Sequence, residues 1–183
     1  MPATLPSPTR LPTGAWRADL VHSSIEFSLR HMAVSTFRSH FGEWSAQLVV
    51  EEGRPAQLTG VVRSASVAVR DPQFAAHLAA AEFFDSDRYP ELRFESTLLR
   101  RDRATVELEG LLTIKGHTLP ITAIGTVSDP HDDPSGSAHM GLELETHIDR
   151  RQFGLEWNMA LPKGGCALGN EVKLQVSLAL RRA

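Results

Sequence analysis

The chain is expected to be all-β, with roughly eight antiparallel strands and one short helix set among them. Three observations lead there. Apolar residues recur at every second position in several segments, the period of a strand with one buried and one solvated face. That alternation is clean, whereas parallel strands tend to be apolar on both sides. Finally, 183 residues with 42% hydrophobic and 22% charged content suit one domain with a sizeable core and exclude wholesale disorder. A two-sheet sandwich and a closed barrel both satisfy this pattern, and periodicity does not choose between them.

The elements follow in chain order. Trp16 to Leu20 opens the first strand or forms a short one before it. Ile25, Phe27 and Leu29 alternate with Glu26, Ser28 and Arg30, and Trp44, Ala46, Leu48 and Val50 alternate with Ser45, Gln47 and Glu51. Val61 to Val69 and Arg93 to Leu99 are less regular strand candidates. Between them, Asp71-Pro72 reads as an N-cap followed by proline at the first helical position. Phe74, His77, Leu78 and Ala81 then share one helical face, so a helix is expected from Pro72 to about Ala81, with Phe83-Phe84 beside it. Val106, Leu108, Leu112 and Ile114 share parity with Gly110, and a turn at Lys115-Gly116 leads to Leu119, Ile121, Ala123 and Val127. After the polar loop Ser128 to Ala138 come Met140, Leu142, Leu144 and Ile148, and the chain closes on Val172, Leu174, Val176, Leu178 and Leu180.

Composition also excludes functions. A net charge of −3 argues against a generic nucleic-acid binder. No apolar run approaches the ~18 residues of a membrane-spanning helix. The single cysteine, Cys166, can form neither an intrachain disulfide nor a Cys-rich zinc site. His22 and His31, nine apart, point to opposite faces of a regular strand and cannot chelate one ion, so neither metal nor cofactor is expected. His31 shares the inward parity of Ile25, Phe27 and Leu29 and reads as a buried, hydrogen-bonded imidazole. Arg150-Arg151 reads as an exposed turn. Residues 1–14 carry four prolines and no apolar signal-peptide core; they read as a flexible tail before a single domain over 15–183, with a cytoplasmic location.

The opening Trp16-x-x-Asp19-x-x-His22-Ser23-x-Ile25-x-Phe27-x-x-x-His31 resembles the start of the YceI-like family of lipid-binding proteins. Phe41-Gly42, the stretch from Asp71 through His77-Leu78 to Phe83-Phe84-Asp85, and Tyr89-Pro90-x-x-x-Phe94-x-Ser96 are similar to that family too. Gly110-x-Leu112-Thr113-x-x-Gly116, Arg150-x-x-Phe153-Gly154 and Gly169-x-x-Val172 follow in the same order, so the likeness covers about residues 14 to 181. The resemblance implies an eight-stranded antiparallel lipocalin-like barrel with one short helix closing a side. It also implies homodimers and a deep apolar cavity for a long-chain isoprenoid or fatty lipid: a polyisoprenoid, an isoprenoid quinone or a fatty amide.

On that reading the ligand-facing residues are Phe27, Leu29, His31, Trp44, Phe84, Phe94, Leu108, Leu112, Ile121, Leu142 and Leu144, and none is catalytic. Small inward residues (Ala46, Gly110, Ala123) are expected to leave room. The expected function is non-catalytic lipid binding, storage or transport. Two alternatives stand beside it: an enzyme of isoprenoid or quinone metabolism using His31 as acid/base, and a dry-cored stress or scaffold protein.

Overall fold

The computed structural model describes residues 10–183. Its strands are β1 (Gly14–Ala18), β2 (Ser24–His31), β3 (Ser35–His40), β4 (Trp44–Val50), β5 (Gln57–Arg63), β6 (Glu91–Asp102), β7 (Thr105–Ile114), β8 (His117–Val127), β9 (His131–Asp132), β10 (Ala138–Asp149) and β11 (Glu171–Arg182). One helix, α1 (Pro72–Ala79), lies between β5 and β6, and a short 3-10 turn, Arg150–Phe153, follows β10. All pairings are antiparallel, and the sheet closes through β10 and β11.

Eleven strands reduce to an eight-staved barrel because two staves are interrupted and the two-residue β9 only pairs with the start of β10. β11 pairs along one edge with both β2 (Lys173↔Ser28 to Ser177↔Ser24) and β1 (Leu180↔Ala18 to Arg182↔Trp16). The break between them is sealed by Asp19 N–H donating to the Ala179 carbonyl and Ala179 N–H donating to Ser23 Oγ. β3 and β4 likewise form one bent stave, since β3 pairs with β2 and β4 with β1. The barrel predicted by resemblance is therefore the fold, with its short helix.

Several boundaries move for identifiable reasons. The strand expected at Val61–Val69 runs instead from Gln57 to Arg63; beyond it the chain bends and follows β3, where Phe41 bridges Val67 and Ser39 Oγ donates to the Ala68 carbonyl. The irregular Arg93–Leu99 segment is part of a long strand with a bulge between Ser96 and Leu98. The extra residue switches inward parity from Leu92, Phe94 and Ser96 to Leu99 and Arg101, which hides a strand from a period-two search. β3 itself escaped detection, because Phe37 is its only apolar residue. The N-cap holds: Asp71 accepts from Gln73 N–H at 2.9 Å, and the helix ends at Ala79, so Ala81 lies beyond it.

The expected tail falls mostly outside the described residues, which begin at residue 10. The part inside is packed on the barrel: Leu11 is buried, Trp16 Nε1 donates to the Pro12 carbonyl, and buried Arg101 donates to the Arg10 carbonyl and to Asp129. Near this end the barrel is solid. Trp16, Leu48, Val106, Leu142, Leu178 and Leu180 are each at most 3% exposed and form a packed plug with Leu58, Val127 and Met140. Glycine at 125 is a steric requirement here, since a Cβ there would overlap the Glu143 carbonyl where β8 crosses close to β10.

Candidate ligand cavity

Above the plug the barrel is hollow. A cavity of about 420 Å³ extends from a floor at Leu108, Ala123 and Leu178 to a mouth between the β2–β3 hairpin, α1 and the loop 155–168. That volume falls in the usual range for a small-molecule site. The walls come from inward positions of β2, β6, β7, β8, β10 and β11, and they are almost wholly aliphatic or aromatic carbon. This follows from the sequence alternation: each stave contributes one apolar face, and closure turns all those faces toward one space.

Nine of the expected residues line this space: Phe27, Leu29, His31, Phe84, Phe94, Leu108, Leu112, Ile121 and Leu144. Two do not. Leu142 points inward but lies in the packed plug, with 1% of its surface exposed. Trp44 is half-buried between the plug and the apolar cluster around Phe41, Val62 and Leu92, outside the lining. Parity fixes the face of a strand residue and says nothing of its height along the barrel axis. Ala46 and Ala123 do border the open volume. Gly110 does not leave room for a ligand, because the Phe94 ring occupies the space where its Cβ would project.

His31 is exposed at the mouth, the reverse of the buried imidazole expected from parity. It is the last residue of β2, next to the three-residue loop Met32–Val34, so alternation no longer carries it under cover. Among the described residues its ring makes no hydrogen bond to another side chain, while its backbone bridges Leu168. Arg150 is also reversed. It is 3% exposed, donating from Nε to the Gly169 carbonyl and from Nη1 to the carbonyls of Leu155 and Trp157. Burial pushes its pKa below the ordinary guanidinium value, with the nearby Asp149 acting the other way. Its role is to hold the loop 155–168 against the barrel. Arg151, beside it, is exposed and paired with Asp149 at 2.7 Å.

That loop supplies lining residues that periodicity could not find, Leu155, Trp157, Met159 and Leu168. The available signal was two large apolar residues, Trp157 and Met159, in an otherwise irregular stretch. An aromatic seam connects loop, helix and barrel. The His77 ring lies edge-on to Trp157 at 4.9 Å and to Phe83 at 5.0 Å, and Phe74 of α1 meets Phe37 of β3 at 5.5 Å. Phe84 meets Phe41 at 6.1 Å. The apolar face of α1 is thus spent on covering the cavity.

The fold and site together define a closed antiparallel barrel with a carbon-lined pocket, the architecture of a small lipocalin-like binding protein. A family profile described as YceI-like domain matches residues 16–180, and the chain belongs to that family. Among curated proteins it is similar to UPF0312 protein SAB2563 of Staphylococcus aureus, 27% identical over 87% of this chain and 92% of that one. It is also similar to Protein YceI of Escherichia coli O157:H7, 26% identical over 75% of this chain and 73% of the other. Its fold is shared with Burkholderia cenocepacia BcnA (TM-score 0.74, 20% identity, 91% of this chain and 99% of BcnA). A polyisoprenoid binding domain from Saccharophagus degradans has the same fold (TM-score 0.69, 11% identity, 94% and 99% covered).

Proposed function

We propose that this protein is a non-catalytic carrier or sequestering protein for one long-chain apolar lipid of isoprenoid or fatty type. The observation that carries this reading is the cavity: open space beneath a helix, in a barrel whose other half is packed solid. A water-filled pocket of that lining would be unstable, while an alkyl or isoprenoid chain gains about 0.8 kcal/mol for each methylene it buries. Ten such groups supply about 8 kcal/mol before the costs of association, enough for useful affinity without polar contacts. The similar domain from Saccharophagus degradans, described as polyisoprenoid-binding, supports the same ligand class. The enzymatic alternative has little to build on, since nothing orients His31 and the Arg150 guanidinium is occupied by backbone carbonyls. Titration with an isoprenoid quinone tests the proposal. Trp157 borders the cavity, so its fluorescence is expected to be quenched saturably, and Trp157→Phe to remove most of that signal. Absence of saturable quenching would contradict the reading.

A further inference from the structure

Four of the eight exposed large apolar side chains among the described residues gather at the mouth of the cavity. Met32, Phe74 and Met159 border the cavity and are 43%, 36% and 57% exposed, and Val34 beside them is 82% exposed. They come from three elements joined at the mouth: Met32 N–H donates to the Ala167 carbonyl, Ala167 N–H donates to the Met159 carbonyl, and Phe74 packs on Phe37. The hairpin tip is strained as well. Met32 and Ala33 both hold positive φ, 54° and 58°, as the central residues of a turn closed by Val34 N–H donating to the His31 carbonyl, a conformation that favours Gly, Asn or Asp. An apolar methionine therefore stands exposed at a position that backbone preference would give to a small polar residue.

Charge at the mouth runs against the whole. The segments 28–42, 70–78 and 155–170 carry Arg30, Arg38, Arg70 and Lys163 against two carboxylates, Asp71 and Glu156, in a protein of net charge −3. Asp71 is engaged in capping α1, and Arg30 donates to the Ala33 carbonyl at the hairpin tip, which leaves the mouth with an excess of two positive charges. Exposed apolar side chains ringed by cations form the pattern of a surface that enters the interface of an anionic bilayer.

We propose that the cavity mouth docks on an anionic lipid bilayer, with Met32, Val34, Phe74 and Met159 in the interface and the four cations toward lipid phosphates. The occupant is a bilayer and not a second copy, because a two-fold pairing of this face would set the same cations against one another. Docking there places the opening of the cavity against the membrane, so a lipid passes between them without crossing water. The inference rests on the carrier reading, and its test separates the two.

The experiment is co-sedimentation of the full chain with vesicles of phosphatidylcholine, with and without phosphatidylglycerol, alongside quinone titration in solution. Binding is expected only to the phosphatidylglycerol vesicles and is expected to fall with added salt. Arg38→Gln and Lys163→Gln are each expected to weaken it roughly fivefold, and Val34→Asp to abolish it, with quinone affinity in solution unchanged in all three. Quinone binding without vesicle binding overturns the docking inference and leaves the carrier reading standing. Vesicle binding without quinone binding supports docking and overturns the carrier reading. Equal binding to both vesicle types, or a dimer in solution that Val34→Asp dissociates, overturns docking.

Discussion

Ala123→Leu distinguishes a hollow barrel from a solid one by the sign of its effect. Ala123 stands on β8 at the cavity floor, 6% exposed, with the plug below and open volume above. The substitution adds three carbons. If they enter open space, their burial contributes at most about 2.4 kcal/mol at 0.8 kcal/mol per group. Lost rotamer freedom of about 0.5–1 kcal/mol offsets part of it, leaving a stabilisation of about 1–2 kcal/mol in the ligand-stripped protein. The same carbons displace a comparable length of ligand, so affinity is expected to fall roughly 30-fold. Leu142→Phe is the counterpart in the packed plug. There overpacking is expected to cost about 1–3 kcal/mol and to leave ligand affinity alone. Urea unfolding after removal of lipid, with quinone titration, measures both quantities; stripping matters because bound ligand stabilises by mass action. Destabilisation by Ala123→Leu with unchanged affinity would refute the cavity and the reasoning that placed it.

Three further outcomes follow from the geometry. Leu112→Phe is expected to weaken quinone binding, whereas Thr113→Val, whose hydroxyl meets Thr118 at 2.8 Å on the outer face, is expected to leave it unchanged; the reverse result would put the β7 register off by one. Arg150→Met strands the carbonyls of Leu155, Trp157 and Gly169 and is expected to cost about 3–5 kcal/mol, whereas exposed Arg151→Met is expected to leave the unfolding midpoint nearly unchanged, both read by urea unfolding. The Asp133 carboxyl is held well below the ordinary carboxylate range, first by the Ser135 hydroxyl and then by Ser137 N–H and His139. Because its folded pKa is depressed, its contribution is complete above the ordinary carboxylate value near 4 and fades as pH falls through the folded value. Amide protection in residues 133–137, the observed exchange rate relative to the intrinsic rate at the same pH, is expected to fall on acidification below pH ~4 and to lose that dependence in Asp133→Asn; an unchanged profile in Asp133→Asn would contradict this.

How much of this was legible in the sequence depended on whether period two survived locally. β7, β8, β10 and β11 keep strict alternation, and their inward residues can be read directly from the chain. The bulge at β6 breaks the pattern, and β3 has too few apolar residues to show one. The site was legible to the same extent. Phe27, Leu29, Leu108 and Leu112 follow from parity, but parity places Leu142 and Leu144 alike, although one lies in the plug and the other borders the cavity. Height along the axis is set by stagger between neighbouring staves, which is a property of the closed sheet and not of any one strand. Arg150 escaped for another reason: its burial depends on carbonyls five, seven and nineteen residues ahead, brought back by a loop without periodicity.

The central claim is that the upper half of the barrel holds a lipid. Native mass spectrometry of protein purified without detergent, followed by organic extraction of the same sample, tests it most directly. An adduct in roughly stoichiometric amount is expected, identified by the extract as a long isoprenoid or fatty chain. A sample that shows the bare protein mass alone, and that takes up no long isoprenoid when one is supplied, would contradict it.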